Sequence, residues 1–216
     1  GKRFKALIEN SADAITLLDS NGVAIYDSPA APGMLGYFNN ELIGQNIFSL
    51  MHEEDLASIQ PLFQKLIETP GARLNNIFRF RHKDSSWRWI ESISTNLLSE
   101  PSVKAIVVNY RDITERKNAE LTLLNAQKLY RTLFEQSADA VFILDLEARH
   151  VEANQRATEM LGYSHEELLQ LSANDISAEV AQSTNVFSKL ISGEVLHTYE
   201  RVFRKKDGSL IDEEVA

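Results

Sequence analysis

The sequence predicts an α+β architecture in two copies, each a small antiparallel sheet with short helices on one face, with a long helix between the copies. Three observations predict it. Residues 7–43 slide onto 133–169 at a constant offset of 126 without a gap, and 15 of 37 positions are identical. Chance gives about two or three at ordinary residue frequencies. Each copy reads as strands, then short helices, then strands, the order of helices segregated to one face of a sheet. Between the copies, residues 113–133 contain neither Gly nor Pro. A period this long duplicates a domain, since solenoid units repeat at about 20–50 residues.

In the first copy, residues 14–19 and 23–26 are β-prone runs around Asp19-Ser20-Asn21-Gly22, a hairpin signal. Ser28-Pro29 reads as a helix start, Ser as N-cap and Pro at the first helical position. Gly36 ends that helix where positive φ costs little. Helices are expected over 41–48 and 55–68. In the second of these, Leu56, Ile59, Leu62, Phe63, Leu66 and Ile67 recur at helical spacing, and Thr69-Pro70-Gly71 stops it. Three strands follow: 76–82, with Phe78 and Phe80 on one face, then 87–94 after the turn Lys83-Asp84-Ser85-Ser86, then 104–111.

The segment 113–133 is rich in helix formers. Ala119, Leu123, Ala126, Tyr130 and Leu133 fall at alternating spacings of four and three, a heptad seam, and Leu121, Leu124 and Leu129 add a second apolar flank. Such a helix either lies on its own domain or pairs in parallel with another copy. The pair is favoured, because a polar helix between two compact domains has little else to bury against. The domains are therefore 1–112, a linker helix 113–133, and 134–216.

The second copy repeats the plan with changes. Asn154-Gln155 replaces Ser28-Pro29, and Ser164 with Glu167 makes a capping box where the first copy has Phe38. Ala148 replaces Gly22, which predicts a different turn type. Lys206-Asp207-Gly208-Ser209 matches the 83–86 turn at an offset of 123, so three residues are lost in between. The first copy runs on through 94–113, including its whole last strand, so the second copy is expected to lack that strand. Any pockets in the two copies are expected to have diverged. Phe4-Lys5-Ala6-Leu7 corresponds to Tyr130-Arg131-Thr132-Leu133 at the end of the long helix, and the sequence reads as a fragment whose upstream helix was cut away.

Composition narrows the function. The chain has 216 residues, 44% hydrophobic and 25% charged, with a net charge of −9. That balance suits a soluble globular protein and disfavours nucleic acid or an anionic membrane as partner. Arg79-Phe80-Arg81-His82-Lys83 and Arg204-Lys205-Lys206 are basic, but they fall on expected strands before a turn and read as solvated edges. There are no cysteines, which removes disulfides, thiolate nucleophiles and cysteinyl-flavin chemistry. The longest aliphatic run, Ala105-Ile106-Val107-Val108, is far too short to span a bilayer.

Five motifs carry a resemblance. Ser11-Ala12-Asp13-Ala14, Met34-Leu35-Gly36-Tyr37, His52-Glu53-Glu54-Asp55, Trp87-Arg88-Trp89-Ile90-Glu91 and Arg111-Asp112-Ile113-Thr114-Glu115-Arg116-Lys117 resemble PAS domains with their C-terminal PAC segment. Such domains occur in bacterial and archaeal sensor histidine kinases and cyclic-dinucleotide enzymes. The resemblance covers nearly all of the first copy and the second from Leu133 onward. It implies a five-stranded antiparallel sheet whose concave face and helices enclose a small-molecule pocket, with the last strand central and paired with the first. Without that strand the second copy leaves hydrogen-bonding groups open along an interior edge, so poor order, or pairing with a strand of another chain, is expected there. The resemblance also implies that the junction Asp112, Ile113 and Thr114 couples the sheet to the output helix. Physically, Asp112 or Thr114 can accept from the free N–H groups of a helix start; simple capping is the alternative, the two are compatible, and transmission is favoured because helix termini are natural hinges.

Candidate pocket residues are Phe63, Phe78, Phe80 and Trp89, with Trp87 and Tyr110 completing the aromatic stock. Filling the core is the commoner use of such side chains. Some PAS relatives bind haem through a helical histidine, but the segment of His52 resembles the acidic cap of haemless members and no second ligand accompanies it, so a structural or solvated role is favoured. His82, His150, His165 and His197 show no metal spacing and are expected on the surface. The polar Asn/Gln cluster usual for non-covalent flavin is not apparent. No cofactor and no metal is expected; an unidentified small ligand remains open. Neither a nucleophile–base pair nor a phosphate-cradling loop stands out.

The expected function is that of a cytoplasmic, non-enzymatic sensory and dimerising module. It would pass small-molecule or redox state through 113–133 to an output domain of a sensor histidine kinase or cyclic-dinucleotide enzyme in the same parent chain. The expected partners are a second copy, through the linker helix, and that output domain, with neither nucleic acid nor membrane contact. The alternatives are a ligand-free dimerisation spacer and, from another class, a small-molecule enzyme using the pocket.

Overall fold

In the computed structural model of the chain, which describes residues 13–38, 40–194 and 198–215, strands β1 (Ala14–Leu18) and β2 (Ala24–Asp27) open the first unit as a hairpin. Helices α1 (Ala30–Leu35) and α2 (Glu53–Glu68) follow, then β3 (Arg73–Arg81), β4 (Trp87–Leu97) and β5 (Ala105–Asp112). The sheet is antiparallel in the order β2-β1-β5-β4-β3. The last strand sits in its middle, with Val108 opposite Thr16 on one side and opposite Ser94 on the other. Strand alternation sends Ala14, Leu18, Phe78, Phe80, Ile90, Val108 and Tyr110 to one face. There they form one core with Leu35 of α1 and Ile59, Phe63 and Leu66 of α2.

Three local details differ from expectation. No α-helix forms over 41–48. Asn40 and Gly44 take φ of 64° and 83°. Backbone bonds from Ala24 N–H to Gln45 O (2.9 Å) and from Gly44 N–H to Ala24 O (2.7 Å) tie the segment to β2, and only a 3-10 turn, Ile47–Leu50, follows. Strand-edge bonding here outcompetes helical spacing. Ser28 does not cap α1: it is buried, and its hydroxyl accepts from Ile15 N–H at 2.9 Å, closing β1 instead. Helix α2 starts at Glu53 rather than 55, because His52 is the N-cap and its Nδ1 accepts from Glu54 N–H at 3.3 Å.

Two polar side chains fix α2 to the sheet. Asn96, buried in β4, donates its amide to the carbonyls of Leu66 (2.8 Å) and Thr69 (3.0 Å), satisfying acceptors that a helix end leaves free. Asp55, in the first turn, accepts from Arg79 N–H (2.7 Å), Nε (3.0 Å) and Nη2 (2.9 Å) on β3. The Arg79 hydrogen bonds hold the Asp55 carboxyl below the usual carboxylate range, against an opposing contribution from burial. The basic run at 79–83 is thus partnered rather than merely solvated, with Lys83 on Glu41. The sister pair, Lys206 with Glu167, lies at 2.6 Å.

Helix α3 (Thr114–Glu135) runs from β5 into the second unit, and the division between the two compact units falls inside it, after Thr122. The second unit comprises β6 (Phe142–Leu144), β7 (His150–Ala153), α4 (Gln155–Leu161), α5 (His165–Leu168), α6 (Val180–Ile191), β8 (Tyr199–Arg204) and β9 (Leu210–Val215). Its strands form two hairpins, β6–β7 and β8–β9, and among the described residues no strand joins them. The β8–β9 ladder nonetheless forms as far as Val215, opposite Tyr199. Ser164 and Glu167 make the expected capping box. In the first unit only half of it survives, Glu41 accepting from Phe38 N–H at 2.9 Å. Residues 4–7, Ser11, Ala12 and His197 lie outside the described residues.

The turn after β6 corrects another expectation: it is of the same kind as the first. Ala148 takes φ 61°, close to the 79° of Gly22. Ala148 N–H donates to Asp145 O (3.1 Å) as Gly22 N–H does to Asp19 O (3.1 Å). Both aspartates explain the persistence. Asp19 Oδ1 accepts from Asn21 and Val23 N–H at 2.8 and 2.9 Å, and Asp145 Oδ1 from Glu147 and Arg149 N–H at 2.9 Å each. This carboxylate staple holds an alanine in a left-handed conformation that costs about 1–2 kcal/mol.

Ala148→Gly is expected to stabilise the second unit by about 1 kcal/mol, read as a rise in its denaturation midpoint. Gly22→Ala should do the reverse, and more strongly, because its Cβ would meet Phe48 Cε2 at 2.6 Å. Asp55→Asn should cost the first unit about 1–3 kcal/mol at neutral pH, screening at the partly exposed pair included. Because the folded-state value of Asp55 is depressed, its contribution is full above the unfolded carboxyl range. It disappears as pH falls through the folded value, so wild type and variant should converge in acid. Urea titrations at several pH values check both points.

Candidate functional site

The inner face of the first sheet leaves a small apolar cavity of about 40 Å³, walled by Leu18, Leu35, Phe78, Phe80, Ile90 and Val108 among others. Thr16 and Tyr110 supply its polar end. The Thr16 hydroxyl donates to Asp27, and the Tyr110 hydroxyl lies 3.3 Å from Thr16 Oγ1. Burial raises the Asp27 carboxyl above its ordinary value and the Tyr110 phenol above its own. The cavity has room for about three or four waters or a ligand of a few heavy atoms, at about 10–15 Å³ per water. A site for a drug-sized molecule needs about 300–1,000 Å³.

Of the pocket residues expected from sequence, Phe78 and Phe80 line this space, and Tyr110 joins them. Phe63 does not: it is buried in the core, edge-on to Phe48 at 5.1 Å. Trp89 does not either. Ile90 points inward, so its neighbour in β4 must point to the other face. There Trp89 lies under Arg79 (5.3 Å) and Lys117 (5.8 Å). Trp87 is 42% exposed and contacts His52 at 4.8 Å. The parity of β4 was available as a signal; the polar end at Thr16 and Asp27 had none.

The junction of sheet and helix is hydrogen-bonded on both sides. Asp112 lies opposite Ile90, a cavity residue. Its Oδ1 accepts from Thr114 N–H at 2.8 Å. Thr114 turns away from the helix backbone, its Oγ1 accepting from Trp89 N–H at 2.8 Å, while Ile113 N–H donates to Trp89 O at 2.8 Å. Of the two expected caps, then, Asp112 serves the helix start and Thr114 serves β4. Arg116 reaches Glu91 at 3.3 Å. The first turn of α3 is bound to the strand that walls the cavity.

Beyond that turn, α3 is uncovered. Residues 118–133 are all exposed, which removes the reading of a helix lying on its own domain. The seam residues Ala119, Leu123, Ala126, Tyr130 and Leu133 belong to this stretch, Leu123 at 71% and Leu133 at 65% exposure. Burial returns at Phe134. Here Asn154, fully buried, gathers four bonds, three of them beyond the helix cap that its sequence position predicts. Its Nδ2 donates to Phe134 O and Asp139 O (2.9 Å each), and its Oδ1 accepts from Val141 and Ala157 N–H (3.0 Å each). Its sequence position, where the first copy has Ser28, predicts only the cap on Ala157.

The histidines divide. His52 caps α2, His82 Nδ1 sits 2.9 Å from Asp84, and His165 is exposed. His150 is not a surface residue. It is buried, its Nδ1 lies 2.8 Å from Leu171 O, its ring packs on Phe142 at 5.3 Å, and burial lowers its pKa. Among the described residues no group of three His, Asp or Glu side chains is placed to hold a metal ion, and no helix is long and apolar enough to cross a membrane.

Comparison with known proteins fits this geometry. A family model described as the PAS fold matches residues 24–108, and one described as the PAS domain matches 128–191. The chain belongs to the PAS family. It carries two PAS domains in tandem, and PAS domains are signal-sensing modules. Its relatives include White collar 1 protein of Neurospora crassa, 34% identical over 92 residues, 42% of this chain and 8% of that protein. Sporulation kinase E of Bacillus subtilis is 25% identical over 177 residues, 81% of this chain and 23% of the kinase. Sensor histidine kinase TmoS of Ectopseudomonas mendocina is 28% identical over 130 residues, covering 58% and 13%. The chain thus spans less than a quarter of each of these relatives. Among solved structures, a PAS domain of a Colwellia psychrerythraea protein aligns at TM-score 0.47 and 26% identity, covering 53% of this chain and 97% of that one. A PAS domain of an HTR-like protein from Haloarcula marismortui aligns at 0.45 and 23%, covering 52% and 96%.

Asn154→Ala is expected to destabilise the second PAS domain by about 2–4 kcal/mol, since it strands buried backbone donors and acceptors. It should also raise amide exchange at Val141 and Ala157 above that of the rest of the domain, measured by hydrogen–deuterium exchange.

Proposed function

We propose that this chain is a cytoplasmic, non-enzymatic sensing module of a sensor histidine kinase. Occupancy of the first domain's cavity is passed through β4 and β5 to α3, and α3 pairs in parallel with its counterpart in a second copy. The observation that carries the reading is the bond between Trp89 N–H and Thr114 Oγ1. It connects a strand whose next residue, Ile90, walls the cavity to the first residue of the helix.

The physics is short-range. A close-packed interior accepts a new occupant only by moving its walls, and movement in packed strands is passed on rather than absorbed. A shift of Ile90 or Val108 moves β4 against β5, which alters the geometry of three hydrogen bonds at residues 112–114. The helix responds by a change in register or pairing, a shift between two pre-existing arrangements. The exposed leucines of α3 supply the reason to pair. A two-stranded seam of about 20 residues would cover apolar surface that a lone helix leaves in water. The relatives that are kinases support an output domain elsewhere in the parent chain.

Xenon, an apolar probe small enough for this cavity, tests the coupling by NMR. Xenon pressure should shift the amide signals of Ile90 and Val108 together with those of Ile113, Thr114 and Glu115. In Thr114→Val the cavity shifts should persist while the helix shifts shrink. Sedimentation should show a dimer that Leu123→Glu converts to monomer. Cavity shifts without helix shifts in the unaltered chain, or a monomeric unaltered chain, would mean a passive spacer.

A further inference from the structure

The offset of 123 aligns the β3–β4 hairpin of the first domain with β8–β9 of the second, residue by residue. Phe78 faces Ile90 in the first; Arg201 faces Glu213 in the second. Phe78 and Ile90 are apolar walls of the first cavity. At the offset of 126, Ala24, another wall residue, becomes the buried His150. Three walls that are apolar in one domain are therefore ionisable groups in its sister.

Arg201 is held but not neutralised. Its Nη2 donates to Ser183 Oγ of α6 (2.6 Å) and to Ala173 O (3.1 Å), and its guanidinium lies over the Phe203 ring at 4.8 Å. Its Nε is buried without a hydrogen-bond partner. Arg88, the other arginine with such an Nε, has Asp84 at 3.9 Å. Among the described residues Arg201 has no carboxylate within 4.0 Å; burial lowers its pKa, opposed only by the neighbouring Tyr199 hydroxyl. Glu213 stands directly across the ladder, where facing Cβ atoms are about 5 Å apart, yet the two side chains do not pair. A buried N–H on a charged fork costs free energy until an acceptor meets it, and carboxylates meet that fork best.

We propose that the inner face of the second PAS domain binds a small zwitterion of the amino-acid type, its carboxylate on Arg201 and its ammonium toward Glu213. A simple carboxylate would be repelled by Glu213 and a simple amine by Arg201; a ligand carrying both charges satisfies both. Burial lowers the pKa of His150, which disfavours a third charge there. This assignment concerns the second domain alone and stands whether or not the first domain's cavity takes a ligand.

The test uses the full chain labelled with 15N-arginine. Each of the protein amino acids is titrated in turn, with acetate and methylammonium as single-charge controls, and the Arg201 Nε–H signal is followed. At least one amino acid should move that signal, with both controls at least about tenfold weaker. Arg201→Lys, which keeps charge but loses the fork, and Glu213→Gln should each weaken binding by about tenfold or more. The double variant Arg201→Phe with Glu213→Ile restores the first domain's pair; it should fold and ignore every amino acid. The proposal is overturned if no amino acid moves the signal at saturating millimolar concentrations, or if acetate binds as tightly as the best amino acid. It is equally overturned if binding appears only in Glu213→Gln, because Glu213 is then itself the anion that Arg201 takes.

Discussion

The central position of β5 is the constraint on which the first domain depends. All eight of its residues pair with β4 and residues 106–110 pair with β1 as well, so β1 and β4 are held together only through it. Its inward side chains, Val108 and Tyr110, are also cavity walls, and its last residue, Asp112, serves the start of α3. Sheet closure, cavity and helix therefore share one strand. A disturbance in any of the three reaches the others through β5 itself or through the bonds from β4 to residues 113 and 114.

The duplicated domains show which features of the module are fixed by physics and which are free to drift. The aspartate-stapled hairpin is kept even where glycine is replaced by alanine, because two backbone amides depend on the carboxylate. The Glu41–Lys83 pair returns as Glu167–Lys206. By contrast, the clamp between Asp55 and Arg79 is gone, Ala181 standing at the first position and Val202 at the second. Both partners are absent together, as expected when leaving one charge alone would be worse than having neither. The inward faces are mixed: Leu18, Leu35, Leu42 and Phe80 return as Leu144, Leu161, Leu168 and Phe203, whereas Ala24, Phe78 and Ile90 give way to ionisable residues.

Much of this was legible in the sequence. The helix stop at Gly36 and the capping box at Ser164 follow from short-range rules that one stretch of chain satisfies alone; the repeat shows when the chain is slid along itself, and the central place of the last strand is what the family resemblance implies. Failures came where a distant group decided the outcome. The segment 41–48 has helical spacing, but its backbone bonds go to β2. Ser28 looks like a cap, but its hydroxyl goes to Ile15. Phe63 and Trp89 are aromatic like Phe78, but the strand and helix faces they occupy point elsewhere. Arg201 and Glu213 were within reach of sequence reasoning, since aligning the two hairpins puts them on pocket positions; each alone looks like an ordinary strand charge.

The four bonds of Asn154 restrict what evolution can place there. An amide is the one uncharged side chain of its size with two donors and two acceptor sites. An aspartate of identical shape offers no donor for the carbonyls of Phe134 and Asp139, and a serine is too short in functional groups to serve all four atoms. Where α3 enters the second domain, the anchoring is thus dictated by hydrogen-bond stoichiometry rather than by volume. That point can tolerate repacking around it far more readily than any exchange of the residue itself.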